Sequence, residues 1–118
     1  MILASIFLFG LAISLGLYLV VLGVRHRRGS RALAAVHASV ALLGLSLLGM
    51  HIFRGRINFW YNSAAMLFVL TLIGGLLLLV LRSGEQNKKS PPSMIGVSLH
   101  AVMGLSALLL LVMGYARS

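Results

Sequence analysis

Residues 32–53 read ALAAVHASVALLGLSLLGMHIF, and residues 95–116 read IGVSLHAVMGLSALLLLVMGYA. Neither stretch holds an Asp, Glu, Lys or Arg. Each exceeds the roughly 20 apolar residues that cross about 30 Å of hydrocarbon as a helix. Backbone groups in lipid must be satisfied within the segment, so each stretch reads as a helix. Working outward, residues 1–24 and 57–81 form two more such runs, and the last run extends back to residue 91. The expectation is an all-α integral membrane protein with helices over about 1–24, 32–53, 57–81 and 91–116. The connections are short, so neighbours run antiparallel in an up-down-up-down four-helix bundle. The whole of 1–118 reads as a single transmembrane domain.

The composition excludes other classes. Sixty per cent of the 118 residues are apolar and 9% are charged, against about a quarter charged in a soluble domain. Mean hydropathy is +1.06. Disorder is excluded by the same values, and unbroken apolar runs exclude the alternating strands of an outer-membrane barrel. There is no Cys, which removes disulfides, thiolate metal sites and covalent c-type haem attachment. The one acid, Glu85, leaves no paired-carboxylate chemistry. It also removes the membrane-embedded Glu on which small multidrug exporters of this size depend.

Ten Lys and Arg give a net charge of +9. The positives sit between apolar runs, which points to topology and not to nucleic acid. Arg25, Arg27, Arg28, Arg31, Arg82, Lys88 and Lys89 lie in the first and third connections. Only Arg54, Arg56 and Arg117 lie on the other side. The positive-inside rule then puts both basic loops in the cytoplasm and both termini outside, in a membrane such as the bacterial inner membrane. The first run lacks a positive leading segment, so it reads as a retained helix and not as a secretory signal. Trp60 and Tyr61 read as an interfacial anchor.

The two quoted stretches also resemble each other. Shifted by 63 residues, His37 falls on His100, Ala38 on Ala101 and Met50 on Met113. The chain therefore reads as two similar helical hairpins, with a His on the second helix of each. His26 lies in a basic loop and takes no role. His37 and His100 lie inside apolar spans, where an ionisable side chain faces the bundle interior. The second and fourth helices are diagonal in such a bundle, so the two imidazoles can face each other at one depth. Two His without carboxylates make a poor site for a bare metal ion. They make a good axial pair for haem, which brings four nitrogens of its own. Gly16, Gly74 and Gly75 lie at similar depths on the first and third helices, and Gly104 and Gly44 lie near the ligands on their own helices. Small residues there would admit a flat macrocycle, or would simply let helices pack closely. Arg31 is the best propionate candidate, although anionic lipid head groups are the favoured account of the basic cluster.

His51 lies fourteen residues beyond His37, about 21 Å further along the helix and about 40° short of the same face. Here the chain resembles the four-helix bis-His membrane b-type cytochromes, of the cytochrome b and cytochrome b561-like kind. In that family two His spaced by about fourteen on one helix pair with two on a diagonal helix. In this chain the second helix has His37 and His51, and the fourth has His100, but Gly114 stands where the fourth ligand belongs. The resemblance covers the four-span plan and three His. It implies haem b as the cofactor, one held by His37 and His100 and a second involving His51. It also implies one-electron transfer with a quinone or a redox partner protein, within or beside a larger membrane complex. Without a second haem, His51 reads as an interfacial His with its tip in water or as a donor to a quinone carbonyl. The alternative for the whole chain is a cofactor-free structural or assembly subunit of a membrane complex.

Overall fold

The computed structural model describes residues 2–25, 31–55, 57–83 and 94–117. The elements are four helices in chain order: α1 (Ile2–Arg25), α2 (Arg31–Arg54), α3 (Phe59–Ser83) and α4 (Met94–Ala116). All four are long and apolar enough to cross a membrane, and they form an elongated bundle of 49 × 21 × 20 Å. The chain is an all-α, four-helix protein with the lipid-spanning dimensions its composition requires.

The helix limits differ from the hydropathy limits for local reasons. The third helix starts at Phe59 and not at residue 57, because Asn58 caps it. Its Oδ1 accepts hydrogen bonds from the backbone N–H of Trp60 (2.9 Å) and Tyr61 (3.3 Å), satisfying donors that the first turn leaves free. Pro91 and Pro92, expected to open the fourth helix, lie outside the described residues.

Most of the outer surface is apolar. Phe7, Phe53, Phe59 and Ile95 are among its exposed side chains, as expected of helices that face lipid on one side and each other on the second. Two hydroxyls on that surface bond within their own helices. Ser14 Oγ donates to Gly10 O and Ser46 Oγ to Leu42 O, the i−4 pattern that hides a hydroxyl from hydrocarbon.

The two hairpins, α1–α2 and α3–α4, each pack closely, with looser seams between α2 and α3 and between α1 and α4. Their core positions correspond in register. Positions 2, 5, 9, 12 and 16 of α1 correspond to 61, 64, 68, 71 and 75 of α3, and positions 37, 41, 44, 48 and 51 of α2 to 100, 104, 107, 111 and 114 of α4. The alternating three- and four-residue steps are those of a left-handed helix seam. Ile2, Phe9, Tyr61 and Phe68 are all at least 94% buried, and Ser5, Leu48, Ala64, Ala107 and Leu111 are completely so.

The core is built in layers, and size alternates between the diagonals. In the middle layer Phe9 and Phe68 stack face to face, with ring centroids 3.6 Å apart and planes 6° from parallel. The other diagonal of that layer is Gly44 and Ala107. A Cβ on Gly44 would sit 3.3 Å from the Phe9 ring. In the next layer Leu48 and Leu111 are the large diagonal, and Ser5 and Ala64 the small one. Ser5 Oγ donates to Gly44 O at 3.2 Å and ties α1 to α2. Lipid tails are as apolar as Leu, so this close fit, and not apolar burial, holds the helices together.

Candidate functional site

One layer departs furthest from the apolar rule. It holds His37 and His100 on the α2–α4 diagonal, and Gly16 and Gly75 on the α1–α3 diagonal. The imidazole centroids are 6.2 Å apart, with planes at 69°. The spacing of 63 residues thus brings the two His together across the core, at the depth the sequence implied.

Each ring lies against a glycine. A Cβ on Gly16 would meet His37 Cε1 at 3.0 Å, and one on Gly75 would meet His100 Cε1 at 2.7 Å. The reason is visible on the α1 side. His37 Nδ1 donates to the backbone carbonyl of Ala12 at 2.6 Å. Within α1 that carbonyl already accepts from the N–H of residue 16. A side chain at 16 would stand in the path to its second lone pair, and glycine leaves the path open. A carbonyl only accepts, so His37 Nδ1 carries a proton, and in the neutral ring the lone pair is on Nε2.

The α3–α4 side repeats this arrangement with one difference. Thr71 is the counterpart of Ala12, and His100 faces its backbone. The Thr71 hydroxyl is occupied by Leu67 O at 2.7 Å. His100 Nδ1 is buried and makes no hydrogen bond of proper geometry.

The other sequence-selected glycines do not face the rings. A Cβ on Gly74 would lie 3.6 Å from Met103 Cε, and one on Gly104 would lie 3.5 Å from Thr71 Cγ2. Both are ordinary contacts, so these two serve helix packing. Arg31 opens α2, but its side chain is outside the described residues, as are His26, Arg27 and Arg28. Arg25 is described. With Val20, Val21 and Met94 it lines an apolar groove of about 490 Å³ between the ends of α1 and α4.

The far end of the bundle corrects one expectation. Tyr61 is not an interfacial anchor. It is 95% buried, and its ring meets that of half-buried His51 edge to face at 5.4 Å. The capping of α3 at Asn58 turns Tyr61 inward. Trp60 remains at the rim, under the guanidinium of Arg117 at 5.2 Å, a cation–π contact. Sequence reading missed the Tyr61–His51 pair. The three-four spacing that runs back from Gly75 through Phe68 to Tyr61 was the available signal.

Among the described residues no group of three or more His, Asp or Glu is placed to hold a metal ion. The chain matches no protein-family model, no curated protein and no solved structure.

Proposed function

We propose that the chain is a membrane b-type cytochrome holding one haem between His37 and His100. The observation that carries this reading is the paired imidazoles, 6.2 Å apart and each seated on a glycine. Metal–imidazole bonds are about 2.0–2.1 Å long, and the two rings at this separation would both reach one ion. The spacing therefore suits one shared ion. Two ligands alone would hold a bare ion poorly, whereas haem supplies the remaining four nitrogens.

His37 and His100 would hold the haem iron through ring nitrogens. The Ala12 carbonyl fixes the His37 tautomer that leaves Nε2 free to bind iron, and such hydrogen bonds also orient the ring. Gly16 and Gly75 make the room the rings occupy. Arg25, at the lip of the α1–α4 groove, is the described arginine suited to a propionate carboxylate. Helical side chains lean toward the N-terminus, so Arg25 leans toward the His layer. When bound, haem supplies a one-electron couple. The apolar layers around it keep water out, and ligand identity, burial and arginine charge tune its potential.

The end carrying Arg25 and the start of α2 is the basic end, and charge distribution puts it in the cytoplasm with both termini outside. The electron partner would be a quinone in the bilayer or a respiratory protein docked on that face.

The test is a dithionite-reduced minus oxidised spectrum of the detergent-purified protein, with a pyridine haemochrome count. A sharp b-type α-band, lost in both His37→Ala and His100→Ala, is the expected result. A protein that stays colourless after haem is added would overturn the reading, and a cofactor-free packing subunit would take its place.

A further inference from the structure

The geometry points to a chain in which the second haem position is closed by its own core, so that electrons enter and leave at the basic end alone. This inference rests on the one-haem reading above and deepens it. Moving fourteen residues along each helix from the His layer, about 21 Å, reaches the layer of Ile2, His51, Tyr61 and Gly114. Residue for residue it is the His layer rebuilt. His51 stands for His37 and Gly114 for His100, while Ile2 stands for Gly16 and Tyr61 for Gly75.

The exchange on the α3–α4 side is a swap of sizes. The inner layer pairs a glycine on α3 with a ring on α4. The outer layer pairs a ring on α3 with a glycine on α4. The outer fit is tight, because a Cβ on Gly114 would lie 2.7 Å from Trp60 Cβ and 2.8 Å from Tyr61 Cε1. Real Cβ atoms do not come that close, and the Trp60 atom cannot yield without moving α3. On the α1 side Ile2 is 95% buried where the inner layer has a glycine with the His37 ring against it. His51 retains a ring at the ligand position, but that ring is engaged edge to face by Tyr61 at 5.4 Å. The missing ligand is thus one of three changes, and the other two put side chains where the inner layer has the glycines that seat the ligand rings. Restoring the ligand alone would not restore the site.

Haem content separates the possibilities. Purified protein loaded with excess haem should bind one haem per chain, and His51→Ala should bind the same. Gly114→His should either fail to accumulate or remain at one. In vesicles of one orientation, a membrane-impermeant reductant should reduce the pigment from the basic end only. Two haems in the unaltered protein, haem loss on His51→Ala, a second haem in Gly114→His, or reduction from the far face would each overturn the closure while leaving the cytochrome intact. No haem in the unaltered protein would overturn both.

Discussion

Gly75→Ala and Gly74→Ala form a matched pair that tests the cradle directly. Both add one methyl to the same turn of α3, and both gain the same helix propensity, about 1 kcal/mol over glycine. They differ in what the methyl meets. At position 74 it makes an ordinary contact, 3.6 Å from the flexible end of Met103. At position 75 it arrives 2.7 Å from His100 Cε1, about 1 Å inside the 3.5–4.0 Å optimum for carbon pairs. Such overpacking costs about 1–3 kcal/mol. Propensity cancels in the comparison, so that cost should appear as the difference between the variants. At several degrees per kcal/mol, Gly75→Ala should melt about 5 °C or more below Gly74→Ala.

The state of the ring decides how the strain is relieved. An unligated imidazole can swing away from the methyl, whereas a ligated one is held at both nitrogens or nearly so. The melting gap should therefore be wider with haem than without, and Gly75→Ala should retain less haem on dilution. Gly16→Ala, with its methyl 3.0 Å from His37 Cε1, should fall between the other two. Thermal unfolding in detergent, followed with and without haem, gives both quantities. Equal melting temperatures and equal haem retention for Gly74→Ala and Gly75→Ala would refute the claim that glycine is there to seat the ring.

Other expectations follow from the layers. Phe68→Ala should destabilise the bundle by about 3 kcal/mol, near the lower limit for losing a core Phe, because little apolar transfer energy is lost in lipid. Phe9→Ala added to it should cost less than it does alone, by about 0.5–1.5 kcal/mol for the lost ring pair, as a double-mutant cycle would measure. Ser5→Ala removes the bond to Gly44 O and should cost only about 0.6 kcal/mol, the average for such bonds between membrane helices. A loss above 2 kcal/mol in unfolding titrations would mean that Ser5 does more than tie α1 to α2. Gly114→Ala should lower the melting temperature even without haem, and should still do so beside Tyr61→Ala, since Trp60 Cβ remains 2.7 Å from the added methyl.

The spans and the pairing of His37 with His100 were legible because both rest on strong, local signals. A charge-free run of more than 20 residues has one structural solution in a bilayer. A His at equal depth in two parallel helices has one place to go that avoids lipid. The glycines were legible only as a group. Periodicity cannot say whether a glycine in a membrane helix accommodates a ring, as Gly16 and Gly75 do, or only another helix, as Gly74 and Gly104 do. The one-residue difference between Gly74 and Gly75 is a rotation of about 100°. Only the three-four seam of α3, anchored by Phe68 and Ala64, decides which faces inward. Tyr61 was misjudged for a similar reason. Its neighbours Phe59 and Trp60 look like an interfacial belt, and hydropathy ignores the Asn58 cap that fixes where the helix starts.

The cofactor-free alternative meets a physical difficulty in the His layer. Layers further along the bundle show how this chain fills a diagonal with apolar side chains: with Leu48 and Leu111, or with Phe9 and Phe68. Such side chains need no partners. Two His in the same setting bring four ring nitrogens that must be satisfied, and the structure satisfies His37 Nδ1 through the Ala12 carbonyl while leaving His100 Nδ1 without a proper bond. It also requires Gly16 and Gly75, each less favourable in a helix than alanine by about 1 kcal/mol. A core built only to pack would be more stable with Leu at 37 and 100 and Ala at 16 and 75. The arrangement is reasonable if the imidazoles bind something between them, because a ligand that engages both Nε2 atoms returns more than the polar layer costs. The same reasoning makes His37→Leu/His100→Leu informative beside the Ala variants. If packing were the sole role, that double variant should melt higher than the unaltered protein under every condition. If the pair holds haem, it should melt higher only in haem-free protein, and lower once haem is supplied to both.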